Sequence, residues 1–174
     1  MRLRALLALP LLAACSGGGL PTILGDVSVI EGGTPGLEPG GPGTGPLGHA
    51  GFALLLNDVR AEGGIRMVTQ NAILTGTAQD HAQDMVRNDY LSHTDLDGGR
   101  AGDRVLAAGY DWDFIAENIA QGFTDDAAVM AAWMGSASHR DNILDGRADE
   151  FGIGLDGTTW VLLLAHQFRD TAVP

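Results

Sequence analysis

Cysteine is nearly absent from this chain: its 174 residues hold a single one, Cys15. With one thiol the protein can form no internal disulfide, so its stability has to come from a packed core, with or without help from a metal. Positive charge is scarce as well. Ten basic residues against 22 acidic ones give a net charge of -12, which becomes -14 once Arg2 and Arg4 leave with a cleaved leader, because no acid precedes Asp26. So acidic a surface argues against nucleic acid and anionic lipid headgroups as partners, and suits cations. Beyond the N-terminus no apolar run is long enough to span a membrane, and there is no internal repeat. The sequence also lacks an HExxH helix, a Gly-x-Ser-x-Gly turn and a thiol nucleophile within its domain, which weakens the case for an enzyme.

The N-terminus carries an address. Arg2 and Arg4 precede a short apolar run, Ala5 to Leu12, too brief to cross a bilayer, and small residues follow it. This reads as a secretory signal over residues 1–14. Leu12-Ala13-Ala14-Cys15 resembles a bacterial lipobox, which implies cleavage before Cys15 and acylation of its thiol and new amino group. An ordinary signal peptide would instead leave a free thiol in an oxidising compartment. Several acyl chains, at ~0.8 kcal/mol per buried CH₂, anchor far more firmly than one. Ser16 rather than an acid follows the cysteine, so in a Gram-negative cell the resemblance favours the outer membrane over other parts of the envelope.

Residues 15–47 form a Gly- and Pro-rich tether, in which Thr22 to Ile30 is the only stretch able to form a strand. As a flexible linker it would span about 30 Å. Residues 48–174 make one domain. His49 to Arg60 carries Phe52, Leu55, Leu56 and Val59 at helical spacing; Asn71 to Tyr90 does the same through Leu74, Ala78, His81, Ala82, Met85 and Val86, capped by Asn71 or Thr69. A shorter helix is predicted from Ala101 to Ala108, stopped by Gly109. Thr124, Asp125 and Asp126 open another that continues through Val129, Met130 and Trp133. Strands are predicted at Phe114 to Gln121, Phe151 to Leu155 and Trp160 to Phe168, the last two joined by a turn at Asp156-Gly157. The unbroken apolar run Trp160 to Ala165 implies a strand buried on both faces, which helices must cover. The expectation is an α+β domain, a three-layer α-β-α sandwich around a small, mainly antiparallel central sheet.

His93, Glu117, Ser136 and His139 stand at the edges of apolar segments rather than in charged runs. Two imidazoles and a carboxylate gathered from separate elements can hold a divalent metal or trade protons. Each also has a plainer use. His93, just past a helix, can offset its C-terminal dipole; Glu117 inside a strand must face an open cleft or have a cationic partner; His139 can open a helical turn capped by Ser136 or Ser138. His81 shares a face with Leu74, Ala78 and Met85, which makes it core-facing with some reach towards the cleft. Asn118 is placed to tie backbone groups beside it. Trp133 and Trp160 read as core, and His49 and His166 as incidental.

Leu56-Asn57-Asp58-Val59-Arg60, Tyr90-Leu91-Ser92-His93, Ala116-Glu117-Asn118-Ile119-Ala120, the run from Trp133 to Leu144, and Phe151-Gly152-Ile153-Gly154 together resemble, in order and spacing, the bacterial branch of the CAP superfamily of cysteine-rich secretory, antigen 5 and pathogenesis-related 1 proteins. The resemblance covers the domain from about Gly48 to Phe168. It implies an open cleft lined by two histidines, His93 and His139, and by an acid, Glu117. A second family acid falls on Ser136 here, and Asp141 is the nearest residue able to stand in for it. With three ligands, a zinc or other divalent cation would keep a position for water. The disulfides of eukaryotic members have no counterpart.

Three functions follow as expectations. The domain is foremost a non-catalytic extracellular binding module, taking a divalent cation or a small or lipidic ligand, and related CAP domains are associated with sterol, lipid or metal binding. A metal-dependent hydrolase, peptidase or esterase, would use His93 and His139 as ligands and Glu117 as ligand or base. A structural envelope protein would dock onto another envelope component.

Overall fold

The computed structural model describes residues 22–23, 28–31 and 50–169. The leader, Cys15, His49 and the rest of the tether lie outside the described residues. Two short strands from the tether are seen, β1 (Thr22–Ile23) and β2 (Ser28–Glu31), the second running one residue past the stretch expected to form a strand.

The helices start and stop on local chemistry. Helix α1 (Ala50–Glu62) runs two residues beyond the predicted end and stops at Gly63 and Gly64, the latter at φ 71°. Helix α2 (Ala72–Arg87) is capped by Asn71, whose side chain accepts from the amides of Ile73 and Leu74. Thr69 is not the cap, because it belongs to a two-residue strand, β3 (Thr69–Gln70), that the apolar pattern does not announce. Helix α3 (Ala101–Ala107) ends before Gly109, at φ 89°. Asp125 caps α4 (Asp126–Gly135) by accepting the Ala128 amide at 2.8 Å. Helix α5 (Ala137–Ile143) follows directly, so His139 stands in a full helix rather than a single turn, and Ser136 is its N-cap by position without a side-chain cap bond.

Strand β4 (Trp112–Gln121) lies centrally, antiparallel to β6 (Thr159–Gln167), which pairs with β5 (Glu150–Asp156) through a two-residue connection holding Gly157 at φ 58°. The sheet order is β1-β4-β6-β5-β3, with β2 also pairing β4. Of these pairings only β3–β5 is parallel. This is the α+β fold with the mainly antiparallel sheet that the sequence pattern implies.

Successive residues of a strand face opposite sides of its sheet, and here each side has its own core. Phe114, Ala116 and Ala120 of β4, with Trp160, Leu162 and Leu164 of β6, pack with Phe52, Leu56, Val129 and Trp133 from α1 and α4. Ile115 and Ile119, with Val161, Leu163 and Ala165, pack with Leu74, Ala78 and Val105 from α2 and α3. Burial of each such side chain stabilises by ~1.5–3 kcal/mol. Gly152 and Gly154 let α2 lie directly on β5, since a Cβ at either would run into the backbone of Leu74 or Ala78. The polar letters of the first motif are staples. Asn57 grips both the amide and the carbonyl of Val68. Arg60, fully buried, donates to the carbonyls of Arg66, Ile143, Asp145 and Ala148.

Candidate functional site

The alternation along β4 decides which predicted site residues meet. Glu117 shares parity with Ile115 and Ile119 and enters the α2–α3 layer; Asn118 enters the layer of α1, α4 and α5. Glu117 is 0 % exposed and both its oxygens are engaged: Oε1 lies 2.8 Å from His93 Nδ1, and Oε2 accepts from Arg104 Nη2 at 2.6 Å. The cation that a buried carboxylate requires is therefore Arg104, on α3. Arg104 is further held by the carbonyls of His93 and Gly99 and stands 3.8 Å from Asp95.

Burial alone would push the Glu117 carboxyl up, but the His93 hydrogen bond and the Arg104 charge outweigh it and hold it below the ordinary 4.5. Since the ionised carboxylate only accepts, His93 Nδ1 carries the proton between them. Beside them, His81 Nε2 lies 3.0 Å from the Ser92 carbonyl and donates to it, and burial lowers the pKa of the ring below 6.5. His81 is thus core-facing, as expected, and also edges a polar recess of about 320 Å³ with Asp80, Asp84, Asp95 and Arg104.

His139 stands on the other side. Its carbonyl accepts from Asn118 Nδ2 at 3.0 Å, and Asn142 Nδ2, from the next turn of α5, bonds Asn118 Oδ1 at 2.8 Å and the Glu117 carbonyl at 3.3 Å. Asn118 therefore ties backbone beside the site, joining α5 to β4. Ser136 is partly exposed with its Oγ 3.4 Å from that of Ser138, while Asp141 is exposed and supplies no inward acid. His166 pairs with Asp149 at 2.9 Å, away from this network.

The structure thus brings His93 and Glu117 together and does not bring His139 into one ligand set with them. Among the described residues no group of three His, Cys, Asp or Glu side chains comes close enough to hold a metal ion. The donor set does not fit zinc, because a ligating Glu117 would have to give up its ion pair with Arg104. Nor is Glu117 suited to general-base work: a carboxylate held below its ordinary pKa is a weak base at neutral pH.

A larger concavity, about 540 Å³, opens between α1 and α4, lined by Leu55, Val59, Glu62, Gly63, Ala127, Met130, Ala131, Met134 and Leu144. The sequence holds a signal for it. Ala127, Met130, Ala131 and Met134 recur at helical spacing, as a stripe beside the core-facing Val129 and Trp133.

Comparison with known proteins agrees with this fold and these motifs: the model of the cysteine-rich secretory protein family, CAP, matches residues 54–159. The chain belongs to the CAP family. Two relatives from Bacillus subtilis are the uncharacterized membrane protein YlbC, 29% identical over 102 residues, and the uncharacterized protein YkwD, 31% identical over 108. Those matches cover 59% and 61% of this chain but only 30% and 42% of the relatives' own lengths. Among solved structures, an extracellular protein containing an SCP domain from Bacillus anthracis superposes with a TM-score of 0.65 at 25% identity, covering 67% of this chain and 39% of that one. An outer surface protein from Borrelia burgdorferi shares the fold, with a TM-score of 0.64 at 18% identity over 70% of this chain and 97% of its own.

Proposed function

We propose that this CAP protein is an exported, lipid-anchored binding module that holds an apolar chain between α1 and α4 and performs no chemistry at His93, Glu117 and Arg104. The observation that carries the reading is the groove: a 540 Å³ concavity whose lining is apolar except for one residue, of the size and character of ligand sites in general. The charged cluster supports it from the other side of the sheet. Its carboxylate is closed off by its own partners, so the place where a family cleft would act chemically is occupied by a structural ion network. Export and anchoring rest on the leader and on Cys15, and relatives described as extracellular, outer-surface and membrane proteins are in keeping with them. In a Gram-negative cell the anchor would lie in the outer membrane.

Uptake of an uncharged apolar dye such as Nile red tests the groove. Wild type is expected to enhance its fluorescence, Ala131→Trp to lose the enhancement by filling the groove from an exposed position, and Glu117→Gln to retain it. Equal uptake by wild type and Ala131→Trp would refute the reading. Cys15→Ser is expected to release the protein from membranes into the soluble fraction, and continued retention would refute the anchor.

A further inference from the structure

We infer that the α1–α4 groove selects a single-chain amphiphile with a positively charged ammonium head over a fatty-acid anion. The inference rests on the groove being a ligand site, as proposed above, and goes on to name the ligand's class. Glu62 is the one charged residue in the lining, and it is exposed at the last position of α1. An acid is disfavoured there by the helix itself, because the C-terminal carbonyls already carry partial negative charge. The carboxylate and the helix end therefore add, and both attract a cation. No basic residue is in the lining itself, and Arg140 beside it is engaged with the Met134 carbonyl at 3.1 Å. The chain contains no lysine, and the nearest arginine along α1, Arg60, is buried with its guanidinium spent on four carbonyls. An ammonium head beside Glu62 can thus sit at the mouth while its chain lies along Val59, Met130 and Met134; a carboxylate head would meet like charge.

Displacement of Nile red from the full-length protein at physiological salt separates the possibilities, using dodecyltrimethylammonium, dodecanol and dodecanoate below their micelle concentrations. The ammonium is expected to displace at a concentration about tenfold lower than the carboxylate, with the alcohol between them. Glu62→Gln should shrink that gap to within about twofold and leave the alcohol unmoved, and Glu62→Lys should invert the order. Asp58→Asn, which removes an exposed acid from the same helix outside the lining, should change nothing, so that attraction to the protein's general negative charge is told apart from recognition. Equal displacement by all three compounds, or a gap that survives Glu62→Gln, overturns the head-group preference and leaves the groove standing. Displacement by none of them, with Ala131→Trp taking up dye like wild type, overturns the groove reading and this inference with it.

Discussion

Glu117 and Asn118 follow one another in β4, yet the layers they enter treat polarity in opposite ways. Towards α2 and α3 the fold buries an ion pair, Arg104 on Glu117, and adds a hydrogen bond from His93 to the same carboxylate. Towards α1, α4 and α5 it joins amides to carbonyls, with Asn118, Asn142 and the His139 peptide linked in series and even Arg60 satisfied by backbone oxygen alone. Buried charges are expensive unless partnered, and in this layer both Glu117 oxygens are taken, whereas His93 Nε2, His81 Nδ1 and Arg104 Nε have no hydrogen-bond partner and a polar recess lies beside them. The other layer buries a charge too, Arg60 on four carbonyls, and an apolar groove opens between its helices α1 and α4. In this CAP domain the ion pair of Glu117 and the apolar groove lie on opposite sides of one sheet.

The sharpest way to break that contrast is to remove one buried charge. Arg104→Met leaves Glu117 0 % exposed with only His93 beside it, and is expected to destabilise by about 3–5 kcal/mol in urea unfolding. Adding Glu117→Gln to it should restore a large part of the loss, because the orphaned charge is then gone. A double variant as unstable as the single one would mean that the two side chains are not energetically coupled. On the α5 side, Asn142→Leu removes both Asn142 bonds to β4, keeps the one from Asn118 to the His139 carbonyl, and leaves Asn118 Oδ1 without its partner, for a loss of about 1–3 kcal/mol. If that variant proves the more damaging of the two, the ranking of the layers is reversed.

Acid should find the charged layer in two steps. Both His81 and Glu117 have folded pKa values below their ordinary ones, 6.5 and 4.5, so the unfolded chain takes up each proton more readily than the folded one. Each contribution is then complete above the ordinary value and is lost as pH falls through the folded value. Urea midpoints measured from about pH 8 down to about pH 3 should fall first below 6.5 and again below 4.5, and His81→Gln should flatten the upper step while Glu117→Gln flattens the lower. An acid limb unchanged in both variants would place the titrating groups elsewhere.

Local chemistry makes much of the fold legible. Asn71 and Asp125 are caps, Gly109 is a stop, and the run Trp160 to Ala165 is a strand covered on both faces. Strand β3 is not legible, because two residues carry no periodicity. At the site, a carboxylate between apolar neighbours signals that Glu117 needs a cation or an opening, but Arg104 is reached only through the packing of α3 on β4, which one-dimensional spacing does not encode. The same limit separates His139 from His93. Its place on a helix can be read from sequence; the face of the sheet on which that helix lies cannot. Met130 is read as part of the helix and is buried, yet Met134 one turn later completes a second stripe whose role depends on how closely α1 approaches.

The smallest expected effect is also the most direct test of the two-layer contrast. Many eukaryotic members of the family that this sequence resembles carry an acid where this chain has Ser136, so Ser136→Glu restores the missing letter. If the four positions formed one cleft, the added carboxylate would complete a metal-binding set with His93, Glu117 and His139. Here Ser136 lies at the junction of α4 and α5, opposite the face that Glu117 enters, and Glu117 is already committed to Arg104. Its hydroxyl makes no cap bond, so replacing it removes little. The variant should therefore unfold within about 0.5 kcal/mol of wild type, and zinc titrated into it should give only the heat of dilution. Saturable zinc binding that disappears on adding His93→Ala would show that the layers share a single site after all.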